Sequence, residues 1–267
     1  MFTINEIYKQ LKELNAPTDS VVLIHSSLKA IGPTEGRAEA MLDAFIDYFT
    51  SGGGLLCIPT HTWNRIGDLS KITLDYQDPK TCIGTLPDIA AKHADAVRSC
   101  HPTHSMAVFG EEKRVADFVK GEDTFDTPAN PHGCYGKIYD RDGYIMLIGV
   151  GHNRNTYLHC VEEMLGVPNR IANAPKDATI CFLNGDIKNF KIHPHEAIGI
   201  GDVSLKYVKY EPAFRYHNCI VDGKIGNADV QLCNARKMKD VMEMIYLRSG
   251  KKDLLTDDKP IPLELYI

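Results

Sequence analysis

The sequence predicts a three-layer α/β/α fold with a mixed central sheet, and three observations lead there. Short apolar runs such as Val21-Val22-Leu23-Ile24 and Leu55-Leu56-Cys57-Ile58 alternate with segments of helical period. Glycine or Asn-Gly turns separate them, as at Gly52-Gly53-Gly54 and Asn184-Gly185. The chain has 267 residues, 43% of them hydrophobic and 24% charged, which fits a globular protein and excludes disordered, collagenous and coiled-coil classes. No repeat, low-complexity linker or composition break marks a boundary, so residues 1–267 are expected to form one domain.

The elements follow in order. Ile4, Ile7, Leu11 and Leu14 mark an amphipathic helix over 4–15. The turn residues Pro17, Thr18 and Asp19 lead into a buried strand at 21–24. A helix at about 35–50 and a second strand at 55–58 complete a β-loop-α-β unit. Thr85-Leu86-Pro87-Asp88 has the form of a capping box and predicts the next helix start. Strands are expected at 106–109 and 144–150, the latter running into a helix at about 156–166. Asn184-Gly185 reads as a hairpin turn, and Asp222-Gly223 as the turn of another strand pair within 218–232. A last helix covers about 234–249.

Composition also bounds function. The 35 acidic and 30 basic residues give a formal charge of −5. Without a Lys/Arg stripe, no nucleic-acid partner is expected, whereas a cationic small molecule is compatible. No apolar run approaches the roughly 20 residues of a membrane span, and MFTINEIYKQL lacks a signal-peptide pattern. A soluble cytoplasmic protein without membrane partners is expected. The eight cysteines are dispersed and never form CxxC pairs, which reads as reduced core residues.

Three segments carry candidate chemistry. His25-Ser26-Ser27-Leu28-Lys29-Ala30-Ile31-Gly32 closes a strand before a helix, offering hydroxyls and backbone N–H groups to a phosphate; its ordinary counterpart is a capped βα loop. Arg98-Ser99-Cys100-His101-Pro102-Thr103-His104-Ser105 places two histidines three apart. A metal needs a third ligand with matching context, and His193-Pro194-His195 has no evident reason to lie nearby, so backbone-bonded loop histidines are the alternative. In the third segment, Ile148 to Glu163, a strand ends in glycines and a helix opens at Asn155 or Thr156. His159 lies in its first turn, with Glu162 and Glu163 at i+3 and i+4. A carboxylate on the imidazole's face suits a general base, although a surface His/Glu pair has the same spacing. No G-x-S-x-G elbow exists, and Cys160 points about 100° round the helix from His159, so nucleophilic catalysis has little support.

Taken in order, these segments resemble the aminoglycoside N3-acetyltransferase family. HSSLKAIGPTEG is similar to its acetyl-CoA loop, RSCHPTHSMAVFG to its R-S-x-H-P-x-x-S segment, and LIGVGHNRNTYLHCVEE to its strand and T-x-L-H-x-x-E helix. GKIGNADVQLCNARKMKDVMEMI resembles its G-x-x-G-x-A ending, with Arg236 and an apolar last helix. The resemblance implies transfer of acetyl from acetyl-CoA to an amine, for the family the 3-amino group of an aminoglycoside, by direct transfer without a metal. It makes His159 the general base, with Glu162 orienting it or holding the ammonium. Thr60, with His61 and Thr62, is expected to face the oxyanion. His25, Ser26, Ser27, Leu28, Ile31, Gly32, Arg37, Ser105 and Met106 are expected along the coenzyme. Glu162, Glu163, Trp63 and Asp123, together with Asp126, are expected toward the amine. The stretch after His152 departs from the pattern by carrying Arg154, which repels a cationic drug if it faces the pocket. Segment 64–83 is short. A different amine therefore stays open, as do a metal-dependent hydrolase using His101, His104 and His159 and a CoA-binding module without turnover. Monomer and homodimer are both open.

Overall fold

The computed structural model describes residues 1–68 and 70–267. From the N-terminus the elements are α1 (Ile4–Glu13), β1 (Val21–Ser26), α2 (Leu28–Ile31), α3 (Arg37–Thr50), β2 (Leu55–Pro59) and β3 (Leu74–Asp75). There follow α4 (Thr85–Lys92), β4 (Val97–Arg98), β5 (Met106–Phe109), α5 (Glu112–Val119), α6 (Cys134–Asp140) and β6 (Tyr144–Ile148). The chain ends with α7 (Tyr157–Met164), β7 (Lys176–Cys181), β8 (Ile187–Ile192), α8 (Glu211–Tyr216), β9 (Ile220–Ile225), β10 (Ala228–Asn234) and α9 (Ala235–Arg248).

Seven strands form one sheet in the order β4-β5-β2-β1-β6-β10-β9. β1 runs parallel to β2 and β6, whereas β5, β4, β10 and β9 pair antiparallel with their neighbours. The sheet is mixed, as the sequence predicts. Its two faces follow from period-2 alternation in buried strands. Val22, Ile24, Leu56, Ile58, Met146 and Ile148 pack on one side with Ile7 and Leu11 of α1, Phe45 and Phe49 of α3, and Leu86 of α4. Val21, Leu23, Leu55, Cys57, Ile145 and Leu147 pack on the other with Val115 and Phe118 of α5 and the buried residues of α6–α9. Helices therefore cover both faces, which completes the three layers. A second sheet, β3-β7-β8, includes the hairpin at Asn184-Gly185. All eight cysteines are free, six of them buried. Among the described residues no helix is long and apolar enough to cross a membrane.

Several local expectations are corrected. α3 starts at Arg37 rather than 35, and the loop before it holds the short helix α2, whose N-cap Ser27 accepts from Ala30 N–H. Thr85 is not a cap: α4 begins at Thr85 itself, behind Gly84, and Asp88 instead accepts from the N–H and hydroxyl of Thr81. Asp222-Gly223 lies inside β9, and the turn to β10 falls at Gly226-Asn227, where Gln10 accepts from Gly226 N–H. Local composition marks a turn at both places; the pairing of β9 with β10 decides between them.

The carboxyl ends of the three parallel neighbours β1, β2 and β6 open on the same edge of the sheet, the usual place for a ligand in such a fold. β1 delivers His25 and Ser26, β2 leads to His61 and Trp63, and β6 leads to 150–156. Gly149 lets two of these loops approach. Its φ is +62°, and a Cβ built there would lie 2.4 Å from the Ala30 Cβ. Gly149→Ala is expected to cost about 1–3 kcal/mol, the scale of a strained backbone, read as a lower midpoint in urea unfolding. An unchanged midpoint would show that the β1 and β6 loops do not need this close approach.

Candidate functional site

The loops at the sheet edge enclose a cleft of about 800 Å³, within the range of small-molecule sites. Its wall includes His25 and Ser26 at the end of β1, His61 and Trp63 after β2, Arg154 and Thr156 just before α7, and His159 in its first turn. His104 and the segment 194–197 close the other side.

The geometry centres on His159. Tyr207 hydroxyl lies 2.6 Å from Glu162 Oε2 and 2.8 Å from His159 Nδ1. Burial, reinforced by the Glu162 charge, holds the Tyr207 phenol well above its ordinary value, so it keeps its one proton. A carboxylate only accepts, so that proton is donated to Glu162 and the phenol oxygen accepts from His159 Nδ1–H. The network assigns His159 the Nδ1–H tautomer. No hydrogen bond among the described residues engages its Nε2, whose lone pair is left for the cleft.

Arg170 anchors the other end. Its Nε donates to Glu162 Oε1 at 2.8 Å and its terminal nitrogen to Asp253 at 2.7 Å. Arg170 is 3% exposed and Glu162 1%. Burial raises the Glu162 carboxyl, against the lowering by Arg170 and Tyr207. Burial likewise draws the Arg170 guanidinium down, but Asp253 and Glu162 outweigh it and hold it above its ordinary value. Both contacts to Glu162 are donors, so the geometry holds its anionic form.

Glu162 therefore lies beneath the imidazole and away from the cleft wall, where burial keeps it from meeting an ammonium. Glu163 sits 3.6 Å from His195 Nε2. The position of His195 corrects the expected separation of the histidine segments. His195 stacks on His159 with ring centroids 4.1 Å apart, and His104 meets His195 at 5.2 Å. His61 lies 4.3 Å from His104 and contacts Tyr135 hydroxyl through Nε2 at 2.7 Å. Among the described residues, no three His, Cys, Asp or Glu side chains converge in metal-ligand geometry.

The other expected residues divide by place. Thr60 is fully buried off the cleft: its hydroxyl accepts from Arg98 Nε at 3.0 Å and contacts Ser105 hydroxyl. Arg98 also donates to Ser105 hydroxyl and to Thr60 carbonyl oxygen. Thr62 hydroxyl donates to Pro102 carbonyl, and Met106 packs in the core. The hydroxyls of Thr60 and Thr62 are thus engaged, whereas among the described residues no hydrogen bond engages His61 Nδ1. Leu28, Ile31, Gly32 and Arg37 line a second, separate depression. Asp123 pairs with Lys188 outside the cleft, and Asp126 does not line it. Trp63 stands on the wall, 48% exposed. Arg154 does face the cleft, joined by Lys176 and opposed by Glu196 and Asp202. Sequence reasoning missed Tyr207 and Arg170, which sit in segments without a motif, and set His195 apart from the other histidines. It read Thr156 as a helix cap; its side chain makes no capping bond and lies on the cleft wall, three residues before His159.

The coenzyme that the resemblance implies finds compatible groups on this wall. His25 Nε2 is buried without a partner, next to Ser26 on the cleft wall. A buried polar atom of this kind is stabilised by a ligand's hydrogen bond.

Several histidines are held below their ordinary value by burial first: His25 and His101 down to about 3, His152 to about 4, and His61, His104 and His159 well below it. Neighbouring imidazoles add to the effect at His61, His104 and His159. They are neutral when folded, and unfolding lets each take a proton near its ordinary value of about 6.5. Below that pH the unfolded chain binds more protons, so stability falls as pH drops from about 6.5 toward 4. Thermal midpoints measured from pH 8 to 4 are expected to hold steady above 7 and decline below 6.5. A profile flat to pH 4 would mean that these imidazoles are hydrated in the folded protein.

Comparison with known proteins adds three findings. A family profile described as aminoglycoside 3-N-acetyltransferase matches residues 23–246. The chain is 21% identical over 273 residues to a prophage-derived aminoglycoside N(3')-acetyltransferase-like protein, YokD, of Bacillus subtilis strain 168, covering 94% of this chain and 95% of that protein. The crystal structure of YokD superposes with a TM-score of 0.80 at 21% identity, covering 95% of this chain and 96% of the other. Aminoglycoside N(3)-acetyltransferase IV of a Salmonella species is 28% identical over 180 residues, covering 66% of this chain but 63% of that enzyme, just under two thirds of its length. A structure of AAC-IIIb with CoASH has the same fold, with a TM-score of 0.77 at 16% identity, covering 93% of this chain and 97% of the other.

Proposed function

Because the chain belongs to the aminoglycoside 3-N-acetyltransferase family, we propose that it transfers acetyl from acetyl-CoA to an amine, in the first instance the 3-amino group of an aminoglycoside. The observation that carries this reading is the His159 imidazole, with Nδ1 tied to Tyr207 and Glu162 and Nε2 left to the cleft. CoASH in the AAC-IIIb structure supports the coenzyme.

An alkyl amine of pKa about 10.4 arrives protonated at neutral pH, so a base must act before or during attack. In our reading the ammonium gives its first proton up to solvent, and His159 Nε2 takes the second from the attacking nitrogen. The imidazolium then donates Nδ1–H to the Tyr207 oxygen, while the Tyr207 O–H keeps its proton and donates it in a hydrogen bond to the Glu162 carboxylate. Glu162 is a positioning residue, two hydrogen bonds from the substrate. As the C–S bond breaks, His159 returns its proton to the thiolate. No covalent enzyme intermediate is involved.

The acetyl thioester lies by His25 and Ser26, with Ser27 supporting that end; Leu28, Ile31, Gly32 and Arg37, at the separate depression, lie off the cleft. Thr60, Ser105 and Met106 support the strand ends from behind the cleft. Thr156 hydroxyl, on the helical face of His159 and free of a capping bond, is placed to donate to the oxyanion. Trp63 belongs to the amine side, whereas Glu163 stands behind His195 and off the cleft wall.

Arg154 and Lys176 on the cleft wall favour a second reading, an amine less cationic than an aminoglycoside. A thiol-release assay with acetyl-CoA against aminoglycosides and simple amines separates the two. Release with at least one amine is expected, and none with any would remove acetyl transfer, leaving a CoA-binding module. Stoichiometric zinc retained after dialysis would favour a hydrolase instead. His159→Ala is expected to keep acetyl-CoA binding and lose at least about 100-fold in transfer, the scale of a general base. Near-normal turnover of that variant would remove the role from His159.

A further inference from the structure

His195 enters the cleft from the segment after β8. An isolated bridge between residues 171 and 195 and the Ala172 N–H bond to Pro194 carbonyl, 2.9 Å, hold it there. Its ring lies nearly parallel to that of His159, at 16° and 4.1 Å. Its Nε2 faces Glu163 Oε1 at 3.6 Å, and both atoms are buried without a hydrogen-bond partner. No hydrogen bond among the described residues engages Nδ1, and the residue lines the cleft. Adjacent carboxylates on one helix thus serve two stacked imidazoles: Glu162 through Tyr207, and Glu163 by facing His195.

The reaction has work for two bases. An ammonium and acetyl-CoA give an amide, CoA thiol and one free proton. The nitrogen loses two protons; one ends on sulfur and the other in solvent. At pH 7 only about one alkyl amine in a thousand is already free base.

Resting on the acetyl-transfer reading above, we propose that His195 is a second catalytic base, which takes the first proton from the substrate ammonium before His159 takes the second. The N–H bond breaks with its electron pair left on the amine nitrogen, and the proton bonds to His195 Nδ1. The resulting imidazolium directs Nε2–H at the Glu163 carboxylate, and Nδ1 passes its proton to water. The amine then attacks the thioester, and His159 moves the second proton to the departing sulfur. Two imidazolium rings at this separation repel one another, so the first proton leaves before the second is taken. The titratable groups facing His195 are His159 and Glu163 on α7 and His104, His61 and His101 from the sheet-edge loops. Glu196 adjoins it, and Asp202, Arg154 and Lys176 complete the charged wall.

The test compares two acceptors with His195→Gln: an alkyl amine found active in the thiol-release panel, and an arylamine or hydrazide of pKa below about 5, which arrives unprotonated. Acetyl-CoA binding serves as the check on folding. The ratio of kcat/KM values, alkyl over low-pKa acceptor, is expected to fall about 10- to 100-fold at pH 7 and to recover as pH approaches the alkyl amine's own pKa. Glu163→Gln is expected to move the ratio in the same direction by less, and it decides the matter if His195→Gln does not fold. Equal loss on both acceptors at every pH, or no loss, overturns the proposal while acetyl transfer stands. Wild-type protein that releases thiol with no amine overturns both together.

Discussion

The buried chain from Arg170 through Glu162 to Tyr207 is the interaction on which the site depends. It joins four parts of the molecule: α7, the segment after it that carries Arg170, the 3-10 helix at 203–210 and the C-terminal stretch at Asp253. A buried ion pair adds little net stability, but removing one partner leaves an uncompensated charge at a cost of about 3–5 kcal/mol. What the arrangement secures is therefore orientation. Glu162 can accept from Tyr207 only where Arg170 holds it, and Tyr207 can fix the His159 tautomer only while its own proton is committed to Glu162.

The cleft around that chain works by keeping imidazoles neutral. Burial penalises the charged ring, and each added imidazole penalises it further, as at His159, His104 and His61. A neutral imidazole near neutral pH is a base with its lone pair available. The same environment disfavours a long-lived imidazolium, which suits a proton taken from nitrogen and delivered to sulfur within one turnover. The three parallel strands supply the place: their carboxyl ends put His25, the loop of His61 and the helix of His159 on one rim.

Most of the fold was legible in the sequence because buried strands and amphipathic helices write their periods locally. The strands at 21–24, 55–58 and 106–109 and the helix of His159 are present where those periods place them. Turns were less legible. Asp222-Gly223 has turn composition yet lies mid-strand, since the Ala228–Ile225 register is set by pairing. At the site, the carboxylate beside His159 was visible from i, i+3 spacing, but its route to the ring was not. Tyr207 lies 45 residues from Glu162, and Asp253 lies 83 from Arg170; no local pattern carries such contacts. His195 was set apart from the other histidines for the same reason, because only the bridge between 171 and 195 brings it back. Thr60 shows the converse. Its position at a strand end looked functional, yet Arg98 and Ser105 take its hydroxyl.

The central claim is that Glu162, acting through Tyr207, holds His159 as the Nδ1–H tautomer with Nε2 free to accept a proton. Nitrogen-15 NMR of histidine-labelled protein at pH 7, with His159 assigned by loss of its signals in His159→Ala, reads this directly. The account predicts a protonated Nδ1 and an unprotonated, pyridine-type Nε2. A protonated Nε2 with a bare Nδ1 would mean that Tyr207 donates to the imidazole, and would contradict it.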